Sequence, residues 1–137
     1  MPVPQRLTFV TLGARDVLTL RRFYRELGWA ENEGASDTFA SFDCGSVKLA
    51  LYPLDLLHEE AAPTASLPEP GTWTGVTLAV NLGDAEEVNR AYADALAAGA
   101  VAVAEPTYRE WGGYSGYIAD PEGNRWELAW APGFDRF

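Results

Sequence analysis

At 137 residues, with 47% apolar and 22% charged side chains, the chain has the material for one globular domain and not for two independent ones. Its net charge of −10 argues against a nucleic-acid partner, because neutralising phosphates requires clustered Lys and Arg. No apolar run approaches the roughly 18 residues of a membrane span, MPVPQRLTF has no secretory pattern, and the single Cys44 permits no internal disulfide; the expected setting is cytoplasmic, away from membranes.

The chain reads as a faint internal repeat. Residues 7–28, LTFVTLGARDVLTLRRFYRELG, suggest a strand, a turn and a helix, and residues 74–99, TGVTLAVNLGDAEEVNRAYADALAAG, suggest the same. In the first helix Asp16 suits the N-cap, Val17, Leu20, Tyr24 and Leu27 share one face, and Gly28 ends it. A short strand is expected at 29–32, followed by TFASFD (38–43) and SVKLALY (46–52) around a tight Cys44-Gly45 turn. Residues 54–73, LDLLHEEAAPTASLPEPGTW, read as a linker loop.

In the second unit Asp84 caps the helix, with Glu87 three residues on in capping-box spacing. Val88, Ala91, Tyr92, Ala95 and Leu96 form the apolar stripe, and Gly99 stops it. A strand is expected at 101–104, then GYSGYIA (113–119) and NRWELAW (124–130) around DPEG, where Pro sets the turn and Gly accepts positive φ. The fold class is therefore α+β, a βαβββ unit used twice (5–53 and 74–131, joined by 54–73).

Two motifs give this arrangement a family character. VTLGARDVLTLRRFYRELGW (10–29) and DPEGNRWELAW (120–130) resemble the vicinal oxygen chelate superfamily: glyoxalase, extradiol dioxygenases, and fosfomycin and bleomycin resistance proteins. The resemblance implies curved mixed sheets, and, in metal-dependent members, a His on each unit's first strand and a Glu or similar group on each last strand. Those positions fall at Phe9, at Gly75 and at Leu49 or Leu51; Glu127 alone matches. One carboxylate does not hold a metal that takes about three protein ligands even in an open site. His58, in LLHEE, reads as a solvated surface residue, so neither a metal nor another cofactor is expected.

Strand alternation then nominates the lining of a cavity. If Glu127 faces inward, so do Arg125 and Ala129, while Trp126, Leu128 and Trp130 face the helices. A five-residue turn pairing Ala119 with Arg125 sets Tyr117 opposite Glu127 and Ser115 near Ala129. The same alternation turns Phe9 and Thr11 inward from the first unit, with Gly75 and Thr77 from the second. The loop TYREWGGY (107–114) offers Tyr108, Trp111 and Tyr114, either as ligand contacts or as a satellite core.

Glu127 itself has three readings: a structural acid, a base, or the anchor of a binding site. No partner acid, nucleophile or phosphate loop accompanies it. WGGYSG resembles the segment before the final hairpin in the bleomycin-resistance branch, whose small acidic proteins sequester drugs without metal, usually as dimers. The resemblance implies a homodimer that binds an aromatic or cationic small molecule, of antibiotic or other natural-product type, at Phe9, Thr11, Tyr108, Trp111, Tyr114, Tyr117 and Glu127. The alternative is a lyase, isomerase or dioxygenase using Glu127 as base or metal ligand.

Overall fold

The computed structural model describes residues 2–133. They fall into two compact units, divided between Pro68 and Glu69. In the first, strand β1 (Phe9–Ala14) leads into helix α1 (Val17–Glu26), strands β2 (Ala40–Cys44) and β3 (Val47–Pro53) follow, and helix α2 (Leu54–Ala61) closes the series. The sheet order is β1-β3-β2, with β1 parallel and β2 antiparallel to β3. In the second, β4 (Thr77–Asn81), helix α3 (Ala85–Ala97), β5 (Val101–Tyr108), β6 (Tyr114–Ala119) and β7 (Arg125–Trp130) form a sheet ordered β4-β7-β6-β5. Strand β4 runs parallel to β7, and the other pairs are antiparallel.

The repeat extends to the helix ends. Asp16 accepts from the Thr19 amide at 3.3 Å, and Asp84 from the Glu87 amide at 2.8 Å. Glu87 reaches back one residue further than a capping box does, to the Gly83 amide at 2.6 Å. Both helices stop in the same way. Trp29 N–H bonds to Tyr24 O and Ala100 N–H to Ala95 O, across glycines at φ +94° (Gly28) and +109° (Gly99). These are left-handed caps that a side chain would strain.

On α1 the buried face is Val17, Leu20, Phe23 and Tyr24, with Leu27 only half-buried. Phe23 is therefore added to the expected stripe, its ring 4.9 Å from that of Tyr24. On α3, Val88, Tyr92 and Ala95 are buried; Ala91 is half-buried and Leu96 is exposed at the stripe's edge. Across the second sheet, Ile118, Trp126 and Leu128 are buried, and α3 packs on β5, β6 and β7.

Two expectations are corrected. The strand at 29–32 is reduced to a single bridge between Glu31 and Phe42, because side chains rather than a backbone ladder hold this segment. Trp29 stacks on Tyr24 at 5.4 Å, Arg21 grips Glu31 with two N–H groups at 2.6 and 2.9 Å, and Asn32 bonds to Ser41 and Asp43. The second correction is α2, which occupies the start of the expected linker loop.

Its sequence, LDLLHEEA, is rich in helix formers, with Asp55 in the first turn where the helix dipole favours an acid. The helix lies against β1 and β3. That approach needs Gly13, since a Cβ there would come within 2.7 Å of Leu54 Cδ1. His58 is half-buried rather than solvated, and its Nε2 donates to Ala65 O at 2.5 Å.

The Arg21–Glu31 pair is the better sheltered of the two ion pairs found among the described residues, with both side chains about 15% exposed. The Arg21 hydrogen bond holds the Glu31 carboxyl below its ordinary value of 4.5. A carboxylate lowered in the folded state stabilises fully above the unfolded value and loses that contribution as pH falls through the folded one. Glu31→Gln should therefore cost about 1–2 kcal/mol at neutral pH. Urea denaturation of both proteins should show the deficit closing below pH 4.5.

Candidate functional site

The site is built on the β6–β7 hairpin, and the hairpin is built on Asp120. This residue is 1% exposed. Its Oδ1 accepts from the amides of Glu122 (2.9 Å) and Asn124 (3.0 Å), and both oxygens accept from Asn124 Nδ2. Gly123, at φ +90°, completes the turn. The turn sets the register: Ala119 opposite Arg125, Tyr117 opposite Glu127, Ser115 opposite Ala129. This is the expected pairing.

Strand β4 adds Thr77, Ala79 and Asn81 beside Arg125, Glu127 and Ala129 on the same face. Where these strands end lies an open cleft of about 500 Å³, lined by Asn81, Trp111, Tyr117, Glu127, Ala129 and the following Ala131-Pro132. Trp111 reaches it from the loop between β5 and β6. That loop is closed by Arg109 N–H to Gly113 O at 2.8 Å and Gly112 N–H to Arg109 O at 3.0 Å. The indole folds back so closely over Gly113 that a Cβ there would collide with its ring atoms Cζ3 and Cη2. The second glycine of WGG is thus the floor on which Trp111 rests.

Electrostatically the cleft centres on Tyr117, which stands opposite Glu127 across the hairpin. Burial, then the charge of the Glu127 carboxylate, push the phenol above its ordinary value, with Arg109 opposing. Arg109 comes from the loop that carries Trp111. Its Nε donates to Ser115 Oγ (3.0 Å), its Nη2 to Ser115 O (2.9 Å), and its guanidinium carbon lies 5.7 Å from the Tyr117 ring centroid.

The structure brings Trp111, Tyr117 and Glu127 together. It places Tyr108 and Tyr114 elsewhere: Tyr114 OH donates to Asn89 on α3 at 2.7 Å, so it points to the helix side, and Tyr108 packs on it with ring centroids 4.7 Å apart. Strand alternation is the reason, because Tyr114 is three residues from Tyr117 and the period is two. Phe9 and Thr11 are exposed on β1 of the first unit, while Leu12 on the same strand is buried. Gly75 lies in a bend before β4, at φ +87°.

Among the cleft's lining residues, Asn81, Ala131 and Pro132 were not anticipated, nor was Arg109 beside Tyr117. Extending the alternation Thr77-Ala79-Asn81 would have found the first. Nothing local marks Arg109, which depends on how its loop folds back.

The sequence matches the glyoxalase/bleomycin resistance protein/dioxygenase superfamily over residues 6–128. The chain belongs to that superfamily. Among solved structures it is similar to a glyoxalase-related enzyme from Fulvimarina pelagi, at 29% identity and TM-score 0.83 over 98% of this chain and 96% of that one. It shares its fold with a superfamily member from Nocardioides (24% identity, TM-score 0.77, 100% and 91% covered). It also shares it with a lactoylglutathione lyase from Agrobacterium tumefaciens (24%, 0.70, 97% and 98%). No curated protein matches it.

Many superfamily members hold a metal, and the residues present here do not fit one. Among the described residues no group of three His, Cys, Asp or Glu side chains stands close enough to ligate an ion. Among the residues lining the cleft Glu127 is the one carboxylate.

Asp120→Ala should test the hairpin directly. Leaving the Glu122 and Asn124 donors without their acceptor should cost about 2–4 kcal/mol in chemical denaturation, and a loss well below 1 kcal/mol would show that another contact sets the turn.

Proposed function

We propose that this superfamily member binds an aromatic small molecule in the cleft of its second unit, without a metal, and sequesters it. An antibiotic or other natural product is the ligand type we favour. The observation that carries the reading is the convergence of Trp111, Tyr117 and Glu127 on one open cleft of about 500 Å³, within the usual size of ligand pockets. Two rings supply stacking surface, each pair with a ligand ring adding about 0.5–1.5 kcal/mol beyond area burial. Glu127 and Asn81 supply polar anchors. No helix among the described residues is long and apolar enough to cross a membrane, and the acidic surface is a poor match for nucleic acid.

The position of Glu127 in the cleft also supports a second reading, in which it abstracts a proton from a bound substrate. Ligand recovered chemically unchanged after long incubation favours sequestration, and conversion favours the enzyme.

A thermal-shift screen against natural products, run with and without chelator, identifies ligands. Calorimetry on the hits then compares two tryptophans. Trp111→Ala should weaken binding about thirtyfold, the equivalent of roughly 2 kcal/mol for a central aromatic anchor, with the fold intact. Trp126→Ala, buried on the helix side, should instead lose about 3–5 kcal/mol of stability. Normal binding by Trp111→Ala, or hits that vanish with chelator, would sink the proposal.

We further propose a homodimer, the commonest closed assembly. Light scattering should give twice the chain mass at micromolar concentration, and a monomer mass there would refute it.

A further inference from the structure

The internal repeat puts two cavities at corresponding places. Val10-Thr11-Leu12 recurs as Val76-Thr77-Leu78, and in each unit the strand that follows this start runs parallel to the unit's last strand, β3 or β7. By this register Gly13 beside Tyr52 corresponds to Ala79 beside Glu127. One step past the final pair of the first unit, Ala14 and Pro53, stand Arg15 and Leu54, the counterparts of Asn81 and Ala129. Asn81 and Ala129 line the cleft. Arg15 and Leu54 line a second pocket of about 250 Å³, together with Ala14, Asp55 and Leu67. Each cavity therefore lies where two parallel strands reach their carboxyl ends, a place where open sheets with parallel strands commonly take ligands.

The chemistry of the two cavities differs. The first unit's pocket has an apolar wall of Ala14, Leu54 and Leu67, and two charged residues, Arg15 and Asp55. Leu54 is seated over Gly13, where a Cβ would obstruct it, so packing fixes that wall. Arg15 Nη2 donates to Pro68 O, next to Leu67. The Arg15 side chain thus runs from the end of β1 to that segment, and its guanidinium stands at the pocket wall. One N–H is used there, and a guanidinium has five. Asp55 comes from the first turn of α2. Among the described residues the ion pairs are Arg21–Glu31 and Lys48–Asp43, so Arg15 and Asp55 share the pocket without pairing with each other.

We propose that this pocket is a second binding site, for an apolar α-amino acid. Its carboxylate meets Arg15, its ammonium meets Asp55, and its side chain packs against Leu54 and Leu67. A volume of about 250 Å³ is that of about eight waters at roughly 30 Å³ each. That suits a molecule of valine or leucine size and is too small for the larger ligands of ordinary pockets. Both charged residues are exposed, so solvent weakens each contact; the two together select a zwitterion.

Three probes that share an isobutyl group separate the contacts by amide NMR titration of the full chain: leucine (both charges), 4-methylpentanoate (carboxylate only) and 3-methylbutylamine (ammonium only). Leucine at millimolar concentration should shift the amides of Ala14, Arg15, Leu54, Asp55 and Leu67 to saturation. It should bind about fivefold more tightly than either analogue. Arg15→Gln should remove its advantage over the amine, and Asp55→Asn its advantage over the acid, with urea denaturation confirming that each variant folds. Shifts that do not saturate, shifts confined to Trp111, Tyr117 and Glu127, equal binding of the three probes, or a folded Arg15→Gln that holds leucine as the wild type does would each overturn the assignment. The cleft proposal is tested apart from this one, because Trp111 is not among the residues that line the first unit's pocket.

Discussion

The Asp120 carboxylate, buried and surrounded by backbone and amide donors, is the constraint on which the second unit depends. It closes the turn between β6 and β7, and the turn sets their register. Because side chains alternate with a period of two, a slip of one residue would exchange the faces of a strand completely. Trp126 and Leu128 would leave the helix side and Glu127 would enter it. Burial of the two apolar residues against α3 and the hydrogen bonds of the turn therefore enforce the same answer. The placement of Glu127 opposite Tyr117 follows from both.

The cleft lies on the sheet face that carries Tyr117 and Glu127. Helix α3 covers one side of the second sheet. On the other, small residues such as Ala79 and Ala129 leave room, and Trp111 is laid across the end by a loop whose glycine has no side chain to obstruct it. Arg109 belongs to that loop and is bent back onto Ser115. Substitutions in this loop should accordingly change what is bound more than how stably the chain folds.

Where the resemblance implies ligands, the chain has Phe9, Gly75 and leucines. The same fold can carry different chemistries, and the side chains at the site decide which. Similarity to a lactoylglutathione lyase at 24% identity therefore says more about the backbone than about the reaction.

The repeat, the helices with their aspartate caps and glycine stops, the DPEG hairpin and the alternating faces of β7 were all legible in the sequence. Each depends on neighbours a few residues apart, where backbone preference and apolar period act directly. The strand expected at 29–32 and the loop expected at 54–61 failed where side-chain anchors and packing against β1 and β3 overrode local pattern. Of the seven candidate site residues, Trp111, Tyr117 and Glu127 line the cleft, whereas Tyr108 and Tyr114 turn toward α3 and Phe9 and Thr11 lie on the first unit's sheet. Alternation could have excluded Tyr114 from Tyr117's face. Arg109 could not have been found that way, because its position depends on a loop folding back onto Ser115. Sequence periodicity determines which side of a strand a residue occupies; the closure of loops, set by hydrogen bonds that no local pattern encodes, decided that Trp111 reaches the cleft.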